Sequence, residues 1–71
     1  MPKYTIIIEK AEGNYSAYCP DLPGCIATGS TVDETIQRMK EAIVFHIEGV
    51  KEEGVAIPEP STKAVSIEVA I

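Results

Sequence analysis

Residues 29–54 read GSTVDETIQRMKEAIVFHIEGVKEEG and carry the only sustained helical pattern in the chain. Thr31 and Glu34 have the spacing of a capping box, in which the hydroxyl accepts from a backbone N–H and the carboxylate reaches back. Gly54 supplies the expected end, because glycine adopts a left-handed conformation at the least cost. The segment predicts one long amphipathic helix, and one stripe of apolar side chains recurs at intervals of three or four: Val32, Ile36, Met39, Ile43, Ile47 and Val50.

One aromatic side chain interrupts the polar face of this helix. On a helical wheel, Phe45 lies opposite the apolar stripe among charged residues, which are Glu34, Arg38, Glu41, Glu48 and Glu52. Packing against a loop or the last strand would explain an aromatic ring at this position. A contact with a second chain would also explain it, because a large apolar group on an acidic face is an informative surface feature. Both interpretations stay open at this point.

The length and composition indicate one small globular domain, residues 1–71, with 45% hydrophobic and 24% charged residues. A chain of this size buries only about 60% of its unfolded surface. Small domains therefore often gain stability from disulfides, a metal or oligomerisation. Because the chain has only two cysteines and one histidine, we expect a homo-oligomer, most simply a homodimer.

The net charge of −5 and the scattered positions of six basic residues argue against direct binding of nucleic acid. An acidic surface is better suited to a basic protein partner. No segment approaches the roughly 20 apolar residues of a membrane span. The N-terminal sequence MPKYTIIIEK also lacks the features of a secretory signal, so we expect a cytoplasmic protein that does not bind membranes.

Four further segments have the pattern of β-strands, with β-branched or alternating apolar residues between turn signals: residues 4–9, 15–19, 25–28 and 64–71. The resulting order βββαβ predicts an α+β fold with two layers, in which one helix packs on a four-stranded mixed sheet. The last strand, AVSIEVAI, is expected to lie parallel to the first through a right-handed crossover.

The loop Pro20-Asp21-Leu22-Pro23-Gly24 connects the second and third predicted strands. Its prolines and glycine fix a corner between two strands. The same stiffness would hold Asp21 and Leu22 outward as a contact for a partner, at a low cost in ordering entropy. Both roles are consistent with the sequence.

No constellation of residues predicts an enzyme, a metal site or a cofactor site. The acidic residues are scattered, whereas two-metal phosphoryl chemistry needs several carboxylates that converge. Cys19 and Cys25 flank the loop without a base placed to activate them. We expect both to be free thiols, because a cytosolic chain disfavours disulfides.

Several of these motifs occur together in one known family. The PDLPGC loop at 20–25, Gly29 with the Thr31 cap, Glu41-Ala42 and the IPEPS segment at 57–61 resemble the N-terminal domain of HicB family antitoxins. The resemblance extends from the first strand to the last. It implies a partial ribonuclease H-like fold and neutralisation of HicA, a small basic toxin with a double-stranded-RNA-binding fold that cleaves mRNA.

Typical HicB antitoxins carry a further DNA-binding domain, and this sequence has the length of a short, stand-alone form without it. We expect an antitoxin-like binding protein that occludes the RNA-binding surface of a HicA-like toxin. The alternative is an orphan module that self-associates or regulates another protein. The residues expected to contact the partner are four carboxylates and two apolar anchors, namely Asp21, Glu34, Glu41, Glu48, Leu22 and Phe45.

Overall fold

The structure is a computed structural model that describes residues Met1–Ile71. Three strands form one antiparallel sheet in the order β1-β2-β3, and a single helix packs against β2 and β3. The three strands overlap the segments expected from the sequence, although β1 begins later than expected. The elements are β1 (Ile7–Ala11), β2 (Asn14–Tyr18), β3 (Ile26–Gly29) and α1 (Val32–Glu52).

The pairing register divides the sheet into a helix-facing side and an open side. Ala17 on β2 is buried and lies between Ile8 on β1 and Ala27 on β3. Because neighbouring residues of a strand point to opposite faces, Tyr18 and Ile26 lie on the open side. Both of these side chains are exposed. The helix therefore covers one face of the sheet only.

The N-terminus of α1 has the predicted cap. The Glu34 N–H donates to Thr31 Oγ1 at 3.0 Å, and Glu34 Oε1 accepts from the Ser30 N–H at 2.8 Å. The Glu34 carboxylate also lies 3.5 Å from Arg38 Nη2. The bond to Thr31 satisfies a backbone donor that the first helical turn leaves without a partner, and the bond from Ser30 ties the residue before the cap to the helix. The start of the helix is therefore fixed by its own sequence.

The C-terminus of α1 has the bonds of a Schellman motif. Gly54 has φ +72°, its N–H donates to the Lys51 carbonyl, and the Val55 N–H donates to the Val50 carbonyl. The glycine turns the chain away from the helix axis and confirms the predicted stop.

The buried core is small and is built around the loop between β2 and β3. It consists of Ala17, Cys19, Leu22, Cys25 and Met39. On the helix, the two buried side chains are Met39 and Thr35. The predicted apolar stripe is thus correct at Met39 but omits Thr35, whose hydroxyl is satisfied by donating to the Thr31 carbonyl at 2.7 Å.

The predicted fourth strand is wrong, and with it the four-stranded mixed sheet and the βββαβ order. The structure is βββα, still an α+β fold but with a three-stranded antiparallel sheet. Residues 53–62 run back to the sheet and are held there at the start of β1, where Thr5 Oγ1 donates to the Thr62 carbonyl at 3.0 Å. Residues 64–71 then leave the domain with exposed side chains. Without a neighbour along its length, the segment has no backbone ladder to make it a strand.

Candidate protein-binding site

The outer face of α1 presents an aromatic ring between acidic side chains. Phe45 is 79% exposed and Val44 is 57% exposed. Together with Lys40, Glu41 and Glu48 they line a shallow cleft of about 400 Å³. The structure confirms that Phe45 lies on the acidic face of the helix, and its exposure excludes the interpretation that the ring packs against a loop or strand of the same chain.

Helical spacing produces this arrangement. Glu41, Phe45 and Glu48 are separated by four and three residues, so they are neighbours on one face of the helix. The opposite face carries Met39, which is completely buried against the sheet. Since α1 is capped at both ends and fixed by that packing, the ring and both carboxylates are held on a rigid element.

A second groove reaches Phe45 from the other side. It lies between α1 and β3, has a volume of about 430 Å³ and includes Ile26, Ala42 and His46 in its lining. Phe45 therefore separates two clefts, one beside the acidic side chains and one beside an apolar strand edge. No local pattern in the sequence predicts that Ile26 and Phe45 line the same groove, because this depends on how the helix crosses the sheet.

Glu41 and Glu48 differ from the other predicted carboxylates in their local bonding. Both are exposed and make no hydrogen bond or ion pair within the chain. Glu34 is instead bonded to the Ser30 N–H as part of the helix cap. Its charge lies on the same face as Phe45, but its carboxylate already has a structural function.

Asp21 is a clamp rather than an outward contact. Its carboxylate accepts from the backbone N–H groups of Ser61 and Thr62 at 3.1 and 3.2 Å, and from their hydroxyls at 3.1 and 2.9 Å. This joins the loop after β2 to the segment that follows the helix. No local pattern in the sequence predicts the contact, because the partners lie about forty residues apart.

The hydrogen bonds to Asp21 make the clamp sensitive to pH. Desolvation raises the pKa of Asp21, but the bonds from Thr62 and Ser61 outweigh it and leave the pKa below its ordinary value. A lowered folded-state pKa means that the carboxylate stabilises the fold fully above the unfolded-state pKa, about 3.9 for aspartate. That stabilisation is lost as the pH falls through the folded-state pKa.

We therefore expect Asp21→Asn to unfold more readily than the wild type at neutral pH, with a difference that shrinks under acid conditions. Urea titrations of both proteins from pH 7 down to acid pH would measure it. Glu12→Gln, a change at an exposed carboxylate in the β1–β2 turn, is the matched control. Its free energy of unfolding should stay close to that of the wild type throughout the titration. A difference between Asp21→Asn and wild type that stays constant with pH would contradict a charged clamp.

The interpretation of Leu22 as an outward-facing anchor is wrong. Its side chain is completely buried and packs with Cys19, Cys25 and Met39. Backbone bonds close the loop around it, with the Leu22 N–H donating to the Cys19 carbonyl and the Cys25 N–H donating to the Leu22 carbonyl. The loop thus directs the Leu22 side chain inward, beneath α1.

The two cysteines are free and buried. Burial raises the pKa of the Cys25 thiol, and the neighbouring Cys19 raises it further.

No group of three or more His, Cys, Asp or Glu side chains is arranged to hold a metal ion. No helix in the structure has the length and apolar character to cross a membrane.

Comparison with known proteins assigns the chain to a family. A profile described as "HicB_like antitoxin of bacterial toxin-antitoxin system" matches residues 4–69, which is nearly the whole chain. The chain belongs to the HicB-like antitoxin family. The resemblance inferred from the PDLPGC loop and the helix cap is therefore confirmed.

Relatives of this HicB-like chain occur in a phage and in an archaeon. A UPF0150 protein of Thermoplasma acidophilum is 39% identical over 66 residues, which cover 92% of this chain and 96% of that protein. An uncharacterized 14.9 kDa protein of Haemophilus phage HP1 is 45% identical over 56 residues, or 79% of this chain. The match covers only 42% of the phage protein, so the chain corresponds to less than half of that relative.

A solved structure also resembles this HicB-like chain. A chain in a HicA3 and HicB3 toxin-antitoxin complex superposes with a TM-score of 0.72 and 33% sequence identity. The superposition covers 84% of this chain and 70% of the other.

Proposed function

We propose that the chain is an antitoxin that neutralises a HicA-type, mRNA-cleaving toxin by covering the toxin's RNA-binding surface. Membership of the HicB-like family and the similarity to a chain of a HicA3 and HicB3 complex support a toxin partner. The observation that carries the proposal is Phe45, which is 79% exposed on the acidic outer face of a rigid helix. A protein surface with this character fits a basic partner that has an apolar pocket.

The acidic side chains are suited to bring such a partner to the helix. Glu41 and Glu48 are exposed without partners beside Phe45, Glu34 adds charge on the same face, and the whole chain carries a net charge of −5. Complementary charges mainly raise the association rate and make it sensitive to salt. A toxin surface that binds RNA must be basic. The positive electrostatic potential that attracts RNA to the toxin would therefore also attract this helix.

The apolar side chains are suited to slow dissociation. Phe45 and Val44 expose a ring and a branched side chain that a partner would bury, and binding energy at interfaces is concentrated in a few such anchors. The helix is ordered before binding, so little conformational entropy is lost. In this mechanism, binding and inhibition are one event, since the antitoxin occupies the surface that the mRNA needs.

We expect Phe45→Ala to weaken binding of the cognate HicA-type toxin about thirtyfold or more, the usual effect of removing a central anchor. Co-expression with a HicA-type toxin, where one is encoded beside the antitoxin gene, would measure growth rescue and co-purification, and titration calorimetry would give the affinity. Tyr18→Ala removes an exposed ring from the open side of the sheet and should leave the affinity nearly unchanged. The charge variant Glu41→Gln with Glu48→Gln should slow association more than it speeds dissociation.

The outcomes separate the proposal from its alternative. Weaker binding by Phe45→Ala with an unchanged circular dichroism spectrum supports the outer face of α1 as the contact. Equal binding of the toxin by Phe45→Ala and wild type would show that the toxin contacts a different surface of the antitoxin. Absence of rescue and of any complex with the encoded toxin would favour an orphan module that self-associates or regulates another protein.

A further inference from the structure

We infer that residues 64–71 form an intermolecular β-strand, which docks on the free edge of β1 in a second copy of this chain. We call this segment the tail. Each copy gives its tail to the other, so the assembly is a closed, two-fold symmetric dimer. The inference does not depend on the proposed toxin partner.

The tail has the pattern of a strand with nothing covering its apolar side. Val65, Ile67 and Val69 are 66% to 79% exposed, and Ile71 at the chain end is fully exposed. They alternate with Ala64, Ser66, Glu68 and Ala70, so one side of an extended chain would be wholly branched aliphatic. A continuous apolar side of this kind marks a surface that another molecule covers.

The exposed area of the chain is larger than a compact monomer of its size would have. Its accessible surface is 5680 Å², whereas a folded protein of this mass has about 4,300 Å². The radius of gyration is 13.8 Å, compared with about 11 Å for a compact domain of equal length. The excess area of the whole chain exceeds the roughly 800 Å² that each partner contributes to a standard interface, and the exposed side chains of the tail are part of it.

The tail begins at a fixed point beside β1. Asp21 holds the backbone N–H groups of Ser61 and Thr62, and Thr5 Oγ1 donates to the Thr62 carbonyl. From this root, an extended chain of about 3.3 Å per residue reaches roughly 25 to 30 Å, whereas β1 is about 16 Å long. A tail of that length can leave its own domain and still cover the whole of β1 in a neighbour.

The edge of β1 fits the tail better than the edge of β3. The Thr28 carbonyl of β3 already accepts from Arg38 Nη1 at 3.0 Å, and β3 is the shorter strand. No side chain donates to or accepts from the backbone of β1 over Ile7–Ala11. Because α1 packs on β2 and β3 rather than on β1, the helix-facing side chains Ile6 and Ile8 are only half-buried and offer an apolar surface to an added strand.

Matched variants of the tail test the inference. Ile67→Lys and Ser66→Lys introduce the same charge at neighbouring positions, one on the apolar side and one on the other. We expect the wild type to sediment as a dimer at micromolar concentration, Ile67→Lys to dimerise at least about thirtyfold more weakly, and Ser66→Lys to remain dimeric. Both side chains are exposed in the single chain, so the circular dichroism spectra should show that all three proteins retain the fold.

A second measurement identifies the surface on which the tail docks. In a dimer mixed from differently isotope-labelled chains, we expect intermolecular nuclear Overhauser effects between the tail and β1. A wild type that stays monomeric, a dimer equally weakened by both lysine variants, or intermolecular effects from the tail to a surface other than β1 would each overturn the inference. A tail that becomes ordered only when a toxin is added would overturn it too, since the occupant would then not be a second copy.

Discussion

Leu22→Ala is expected to lower the free energy of unfolding by about 2–5 kcal/mol, the usual cost of emptying a fully buried leucine site. Leu22 is completely buried and packs with Cys19, Cys25 and Met39. The chain has few other buried side chains, since only seven of its 71 residues are buried. Small domains have stabilities near the lower end of the range of about 5–15 kcal/mol, so this one truncation should remove a large fraction of the stability of the domain. Urea denaturation followed by circular dichroism measures the change.

Phe45→Ala is the control for Leu22→Ala. It removes a larger apolar side chain that the fold does not bury, so its effect on stability should stay within about 0.5 kcal/mol. The pair also separates folding from binding, because Leu22→Ala should reduce toxin neutralisation by unfolding the antitoxin and Phe45→Ala by removing a contact. A stable Leu22→Ala protein would contradict the central position of the loop in the core.

The helix could be predicted from the sequence because the signals that form it are local. The Thr31 cap, the Glu34 carboxylate and the Gly54 stop all act within a few residues of their own positions. The same helical period placed Phe45 on the acidic face, although it left open whether the ring packs within the chain. The candidate contact face on α1 was therefore predictable in its main features, while the groove on the β3 side was not.

The tail shows what the sequence could not determine. Residues 64–71 have a clear strand pattern. Such a pattern indicates only that the segment needs the edge of another strand with which to pair. Which edge it meets depends on contacts distant in the chain, here the bonds of Ser61 and Thr62 to Asp21. The expected crossover placed the partner edge in the same chain, but in the structure residues 64–71 pair with no strand of that chain.

Of the two roles that the sequence allows for the loop between β2 and β3, the structure shows the fixed corner, while the outward orientation of Leu22 is wrong. Loops lie mostly on the surface, so an outward Leu22 was a reasonable expectation. In a domain with so small a core, however, a loop that folds over the end of the sheet supplies part of that core. Asp21, next to the buried leucine, also makes its contacts within the chain, because its carboxylate accepts hydrogen bonds from Ser61 and Thr62.

Gly29 at the end of β3 lies against the first turn of α1, and Gly29→Ala is expected to destabilise the domain by about 1–3 kcal/mol. A Cβ at this position would lie 2.6 Å from Thr35 Oγ1 and 2.8 Å from the Thr35 backbone nitrogen. Thr35 is completely buried and bonded to the Thr31 carbonyl, so neither atom can move without shifting the first turn of α1. The loss corresponds to a melting temperature lower by roughly 4–8 °C for each kcal/mol, which differential scanning calorimetry would measure.

Gly49→Ala is the matched control for Gly29→Ala, because the chemical change is the same and the surroundings differ. A Cβ at Gly49 meets no atom within 4 Å, and the residue lies in an exposed part of α1. Since alanine favours a helix over glycine by about 1 kcal/mol, this variant should melt higher than the wild type. Adding Thr35→Ala to Gly29→Ala should restore little stability, because the contact with the backbone nitrogen remains. If the two glycine variants changed the melting temperature equally, the close approach of β3 to α1 could not be the reason for glycine at position 29.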